Sequence, residues 1–324
     1  MNVSIIVIAL NEERNIITVL DSLSDQDYSG DFEILVVDGG SQDTTQELVK
    51  EYKDKRVTLI VDSKGTITHS RNEGVKNARY DYVAFIDADC IAPKDWLKRL
   101  TDGYKRRCGE NKIAAVGGAN IPPIRCSSFV KAIGIAFDSF VGSLGSIQAK
   151  PFPRDKCVPS VSCSNALYNK KALNAVSVFS EDLGNQGEDW EVGYKLRKKN
   201  YLLYGLGGSF VWHNLRSTPA SFWKNMVFYG DGRMRLTKKH PSGFRWVYGL
   251  PFVFGLVMFS SAFSFFWKGF LLPLLYFPLM FLYSIYLSFL KKKFHLFLHV
   301  FLVFVILHFG YAWGMIKGLR WIFK

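Results

Sequence analysis

Along the first third of the chain, apolar residues fall into short continuous runs separated by stretches that repeat at helical spacing. Val3–Leu10, Phe32–Val37, Val57–Val61, Tyr82–Ile86 and Ile113–Val116 read as strands. Their lack of alternation is what a strand buried on both faces requires. Between them, Ile16, Val19, Leu20 and Leu23 recur on one helical face, and Ser41–Tyr52, Thr68–Arg79 and Asp95–Tyr104 read as further helices. Strands alternating with helices predict an α/β fold built on a parallel sheet. In such sheets ligands bind beyond the carboxyl ends of the strands. Asn11-Glu12, Asp38-Gly39-Gly40, Asp62 and Asp87-Ala88-Asp89 each stand just after a strand, so they are expected to share one edge.

The pattern changes after Arg245. Residues 247–267 and 269–290 hold no charge, and residues 294–316 hold only His295, His299 and His308. Each stretch exceeds the roughly 18 residues a membrane-spanning helix needs. The predicted layout is therefore 1–120 and 121–245 as two halves of one part and 246–324 as a membrane domain of about three helices. The positive-inside rule puts Lys238, Lys239, Arg245 and Lys291–Lys293 in the cytosol. Lys317, Arg320 and Lys324 then fall outside, against that rule, unless the third segment is re-entrant or interfacial. The expectation is a multi-pass protein of the cell membrane with residues 1–245 on the cytoplasmic side.

Composition fits this division. The 324 residues carry 41 Lys and Arg against 28 Asp and Glu, a net +13. Seven of the basic residues, and none of the acidic ones, lie after Arg245. A hydrophobic content of 48% excludes disorder. The concentration of excess charge beside apolar stretches argues against a nucleic-acid binder. Five Cys at 90, 108, 126, 157 and 163 show no zinc spacing and fit a reducing compartment. Residues 1–10 lack a basic flank and read as a buried strand rather than a signal peptide.

Two carboxylates one residue apart at a strand end, Asp87 and Asp89, can approach one divalent cation, Mg²⁺ or Mn²⁺. Gly39 and Gly40 allow close backbone approach to a ligand, and Ser41 is a plausible N-cap. Asp38 and Asp62 are suited to accept hydrogen bonds from a base or ribose. Leu10-Asn11-Glu12-Glu13, VVDGGSQDTT, HSRNEG and FIDADC occur in that order, followed by Gly187-Glu188-Asp189-Trp190-Glu191, Val211-Trp212-His213 and Tyr229-Gly230-Asp231-Gly232-Arg233. Together they resemble a membrane-anchored family 2 glycosyltransferase with a GT-A fold, of the cellulose-synthase-like branch.

That resemblance covers about residues 2–240. It implies a GT-A domain, Rossmann-like, followed by transmembrane helices, with a nucleotide-sugar donor (a UDP-sugar favoured), a divalent cation and inversion at the anomeric carbon. By position, Asp38 and Asp62 would contact the nucleobase and Arg71 would lie near the donor. Asp87 would lie near the ribose or sugar, and Asp89 would hold the metal. Leu10, Asn11, Glu12, Gly39 and Ala88 would line the donor pocket. Asp189, beside Glu188, would be the general base that takes the proton of an acceptor hydroxyl. The acceptor would be a lipid or lipid-linked sugar.

Each assignment has a competing reading. Glu188 and Asp189 also suit a first helical turn, where the helix dipole favours acidic residues. His213 serves equally as a third metal ligand, an acceptor-placing group or a structural histidine. Arg233 and Arg235 fit a donor diphosphate, a lipid phosphate or a basic collar. Asn165 and Trp190 stand where acceptor contacts are expected, although Cys163 departs from the family's loop pattern. Residues 129–141 suit an interfacial or a buried helix. Other functions remain to be discriminated: a polyprenyl-phosphate glycosyltransferase, which needs no base, a sugar nucleotidyltransferase, or a non-catalytic nucleotide-binding membrane protein. The absence of a Gln-x-x-Arg-Trp run argues against a processive synthase.

Overall fold

A computed structural model describes residues 1–107, 109, 112–143, 151–214, 217–243, 246–261 and 275–323. The chain folds as two compact units, Met1–Pro123 with Ile147–Asn214, and Ile124–Ser146 with Leu215–Lys324. In order, the elements are β1 (Val3–Ala9), α1 (Ile16–Ser24), β2 (Phe32–Asp38), α2 (Thr45–Lys50), β3 (Val57–Val61), α3 (Ile67–Asn77) and β4 (Tyr82–Asp87). β5 (Cys90–Ile91), α4 (Trp96–Arg107) and β6 (Ile113–Ile121) follow, then α5 (Ser128–Phe137) and α6 (Phe140–Ser143) of the second unit. The first unit resumes with β7 (Lys156–Cys157), β8 (Ala166–Asn169), α7 (Lys170–Ala175), α8 (Glu188–Lys198) and β9 (Leu202–His213). α9 (Pro219–Lys239), α10 (Leu250–Ser261), α11 (Tyr276–Leu290) and α12 (Phe297–Phe323) complete the second unit.

The sheet of the first unit runs β3-β2-β1-β4-β8-β6-β9-β5, with β7 beside β9. Strands β1 to β4 are parallel, as their continuous apolar runs predict. The sheet as a whole is mixed rather than parallel, because β8 pairs antiparallel with both β4 and β6. The chain leaves β6 at the carboxyl edge and re-enters β8 from that edge, so no crossover helix reverses it. Alternate residues of the central strands feed two cores. Val3, Ile5 and Val7 pack with Ile16, Leu20 and Trp96 on one face. Ile6, Leu35 and Phe85 pack with Val75, Leu173 and Leu196 on the other.

The helix expected over 41–52 is confined to Thr45–Lys50. Side chains capture the backbone groups that a longer helix would use. Asp38 Oδ1 accepts from Ser41 N (2.8 Å), Asn11 Oδ1 from Gln42 N (2.8 Å) and Asp43 Oδ1 from Thr45 N (3.0 Å).

In the second unit α9 and α12 lie side by side and run in the same direction. Met226 faces Gly310, Val227 faces Gly314 and Met234 faces Gly318. The approach is so close that a Cβ on Gly314 would stand 2.1 Å from the Val227 carbonyl oxygen. Gly314→Leu must part the two helices and is expected to cost about 3 kcal/mol. The measurement is thermal unfolding in detergent. Gly109→Ala, where an added Cβ would meet nothing within 4 Å, should unfold like the parent.

Among the described residues, the stretch Phe294–Phe323 alone is long and apolar enough to cross a bilayer. The predicted spans 247–267 and 269–290 include residues 262–274, which lie outside the described residues. Their described parts are the 12-residue α10 and the 15-residue α11, each short of the about 20 residues a crossing needs. The expectation of several crossings is thus met in length by one helix.

Candidate active site

The register of the parallel strands brings the acidic groups to one edge, as expected. Ala9 pairs with Asp38, Asp38 with Val61, and Ile8 with Asp87. Leu10 is about half exposed there. Asn11 takes a left-handed backbone (φ 57°), which its short polar side chain tolerates. Its N–H donates to Ser41 Oγ at 2.8 Å. Glu12 N donates to Thr45 Oγ1 (2.8 Å), and Glu12 Oε2 accepts from Asn15 (2.7 Å). Gly39 N is tied to the Ala9 carbonyl at 2.9 Å.

Asp38 and Asp62 are buried, and their carboxylates shape their own loops. Asp38 accepts from Gly40 N (3.0 Å), Ser41 N and Gln46 Nε2 (2.7 Å) on one oxygen, and from Ser41 Oγ on the other. Asp62 accepts from Lys64 N (2.9 Å) and Ser70 Oγ (2.7 Å), and its Oδ1 lies 2.7 Å from His69 Nδ1. Burial alone would raise the Asp62 pKa. The hydrogen bonds from Ser70, Lys64 and His69 outweigh it and hold this carboxyl below the ordinary value.

Arg71 of α3 is buried at 4% exposure. One guanidinium nitrogen pairs with Glu188 Oε1, and the other reaches Asp87 Oδ1 at 3.3 Å. The remaining nitrogen, Nε, has no hydrogen-bond partner. Arg71 thus bridges Asp87, at the end of β4, to Glu188, at the start of α8. Burial pushes the Asp87 carboxyl up, Arg71 opposes that, and the Asp89 charge adds to it. Ala88 is buried, its N–H directed at the Ile8 carbonyl.

Gly187, at φ 70°, opens α8, placing Glu188, Asp189 and Glu191 in the first turn. Asp189 Oδ1 accepts from Trp190 N at 2.6 Å. Trp190 stacks on Tyr194 with ring centres 5.4 Å apart. Glu191 is wholly buried and accepts from Ser180 Oγ at 3.0 Å, which fixes the helix start.

Residue His213 ends β9, and its pairing with Cys90 of β5 carries it to the acidic edge. Its Nε2 lies 3.2 Å from Asp89 Oδ1. Neighbouring ligands held about 2.1 Å from one Mg²⁺ or Mn²⁺ stand about 3 Å apart, so this oxygen–nitrogen pair fits such an ion. Cys90 lies within the same group, but its side chain belongs to the core. Burial, then the charges of Asp89 and Asp87, push its thiol well above the ordinary value, so it stays protonated.

Asn165, Arg233 and Arg235 have other partners. Asn165 is buried with its amide engaged, accepting from Trp96 Nε1 (2.8 Å) and donating to the Ala119 carbonyl (3.0 Å). Arg233 and Arg235 belong to the second unit. Arg233 Nε donates to Tyr311 Oη at 3.3 Å, and Arg235 lies 4.6 Å over the Trp321 ring. Sequence reasoning missed His69, Ser70 and Gln46 as the partners that hold Asp62 and Asp38. His69 and Ser70 stood in the HSRNEG run, at the N-terminal turn of a predicted helix.

The acidic edge and the Asp89–His213 pair thus lie together on a mixed α/β sheet. The profile described as glycosyl transferase family 2 matches residues 4–176, and the chain belongs to that family. It is 26% identical over 262 residues to the dolichyl N-acetyl-alpha-D-glucosaminyl phosphate 3-beta-D-2,3-diacetamido-2,3-dideoxy-beta-D-glucuronosyltransferase of Methanococcus voltae, covering 79% of this chain and 80% of that protein. Identity is 27% over 235 residues with the poly-beta-1,6-N-acetyl-D-glucosamine synthase of Staphylococcus epidermidis, covering 71% of this chain and 54% of the synthase. The chain thus spans about half the length of that synthase. Among solved structures, a mannosyltransferase from Pyrobaculum calidifontis in complex with GDP-Man and Mn²⁺ superposes with a TM-score of 0.61 at 17% identity, covering 94% of this chain and 86% of that one. The fold is GT-A, and the protein is a glycosyltransferase.

Proposed function

We propose that this enzyme transfers a sugar, with inversion, from a nucleotide-sugar donor to a hydroxyl of a lipid-linked acceptor at a membrane surface. The observation that carries the reading is the Asp87–Arg71–Glu188 bridge, which sets the Asp189 turn beside the strand-end carboxylates. Asp38, Asp62 and Gly39 form the floor for the nucleoside. Arg71 neutralises the acidic cluster and orients Asp87 toward the donor. Asp189 takes the acceptor proton. Asp89 and His213, with Asp87 adjacent, would hold a divalent cation that neutralises the charge of a leaving diphosphate. Trp190, stacked on Tyr194, offers an apolar face to an acceptor sugar. A relative named for transfer to a dolichyl-phosphate-linked sugar supports the acceptor class. Arg233 and Arg235 lie in the unit that carries the apolar C-terminal helices, where a lipid phosphate would be met. Free Cys90, Cys126, Cys157 and Cys163 fit catalysis on the reducing, cytoplasmic side.

The test is transfer from a panel of labelled nucleotide sugars to a lipid extract, titrated with Mn²⁺ or Mg²⁺. An acid-stable product on a lipid-linked sugar is expected. An acid-labile monosaccharide phosphate would instead favour a phosphate acceptor and remove the need for Asp189. His213→Ala should raise the cation concentration for half-maximal rate by about 10–100-fold, as loss of a group around a metal does. Unchanged cation dependence would remove His213 from the metal site.

A further inference from the structure

The stretch Phe294–Phe323 has the length to cross a bilayer. It packs against the apolar α10 and α11, but the other two helices along it, α5 and α9, point elsewhere. Its first half lies against α5, where Val300, Val303, Phe304 and Leu307 share a core with Phe129, Ile133 and Ala136. Helices α5 and α6 belong to an excursion, residues 124–146, that leaves the catalytic unit and returns to it. With 10 and 4 of its residues helical, that loop extends at most about 27 Å out and back, less than the about 30 Å of hydrocarbon. Lys291 pairs with Asp138 at the end of α5. His308, near the middle of α12, has its Nε2 3.1 Å from the Val141 carbonyl oxygen.

The second half of α12 lies along α9, which cannot follow it through a bilayer. Helix α9 carries Lys224, Asp231, Arg233, Arg235, Lys238 and Lys239. Each charge taken to the centre of the hydrocarbon costs about 2.5–3.5 kcal/mol. α9 begins at Pro219, five residues past Asn214 of the catalytic unit, and Phe222 packs on Phe129 and Phe137. Its second half is joined to the far end of α12, where Asp231 accepts from Arg320 (3.2 Å) and Trp321 Nε1 (3.2 Å) and Arg235 lies over the Trp321 ring. Both halves of α12 are therefore flanked by segments tethered to one side.

We propose that α12 lies along the membrane surface rather than across it, with both ends on the side of the catalytic unit. The partner is the headgroup and acyl boundary of one leaflet. The exposed residues of α12 fit that placement. Leu298, Leu302 and Trp313 are apolar, and the ends carry Lys293 before the helix and Lys317 and Arg320 in its last turns. No acidic residue follows Arg245, so the surface suits an anionic leaflet. The conflict that the positive-inside rule met at Lys317 and Arg320 disappears, because they share a side with Lys238 and Lys239.

This rests on the membrane attachment assumed above, and the experiment separates the two. The full chain is reconstituted in sealed vesicles, with exposed Cys157 of the catalytic unit as the reference for its side. Lys293→Cys and Lys317→Cys variants are treated with a membrane-impermeant maleimide, and labelled peptides are quantified. Both new thiols should react as fully as Cys157, with no gain after permeabilisation. Protection of either one until permeabilisation overturns the proposal. Should the variants fail to fold, an epitope placed after Lys324 of the native chain should be cut by protease in the same vesicles. Protection of that epitope overturns it equally. Sedimentation of the native chain reads attachment alone. Protein left in the supernatant defeats the membrane reading and the proposal together, whereas retained protein with a protected end defeats only the proposal.

Discussion

Asp189→Asn should lower the rate of sugar transfer by about 10²–10⁴-fold while leaving the fold and donor affinity near those of the parent enzyme. The substitution keeps the side chain's size and its Oδ1, which accepts from Trp190 N at 2.6 Å, so the start of α8 survives. What it removes is the lone pair that takes a proton. Single-turnover transfer, donor binding and thermal unfolding together check the prediction. Full turnover in the variant would reject the base role and leave Asp189 as a first-turn acidic residue. Loss of donor binding would move its role to the donor side.

Arg71→Met should be damaging for another reason. The guanidinium is buried between Asp87 and Glu188, and its removal takes from both carboxylates the counter-charge they share. Breaking a buried ion pair by deleting one partner costs about 3–5 kcal/mol, so a marked fall in unfolding temperature is expected along with loss of transfer. The double variant Arg71→Met with Glu188→Gln should recover part of the stability, because one stranded charge is gone, yet recover no activity. Equal stability of the single and double variants would show that the bridge is not the source of the loss. Chemical or thermal unfolding, followed by donor binding, reads both effects.

The parts of the fold legible from sequence were those fixed by local pattern. Val3–Ala9 and Tyr82–Asp87 are buried on both faces, so their runs are continuous and their ends clear. Because parallel register aligns strand ends, the shared edge of Asp38, Asp62 and Asp87 followed directly. The shortening of α2 was hidden, since it depends on which side chains of Asp38, Asp43 and Asn11 win the competition for backbone N–H groups. Strand β9 was visible only at Phe210–Trp212, as Gly205, Gly207 and Gly208 interrupt its pattern. The antiparallel insertion of β8 has no local signature. Neither has the Arg71–Glu188 contact, which is formed only when α8 docks. Motif order supplied the residue types of the site, but not the partners that hold Asp62 and Asp38, since His69, Ser70 and Gln46 act through the folded loops.

The two-residue strand β5 has a consequence for how the protein is made. Cys90 and Ile91 find their partners, His213 and Trp212, at the far end of the last strand of the sheet. During synthesis the acidic edge of β1 to β4 emerges early and can pack against its helices, but Asp89 waits for the chain to be extended through β9. The Asp–His pair is thus among the last features of the catalytic unit to assemble. A nascent or truncated chain ending before Leu202 would carry the Asp38–Asp62 edge without His213, and the proposed cation site would mark the completion of the sheet.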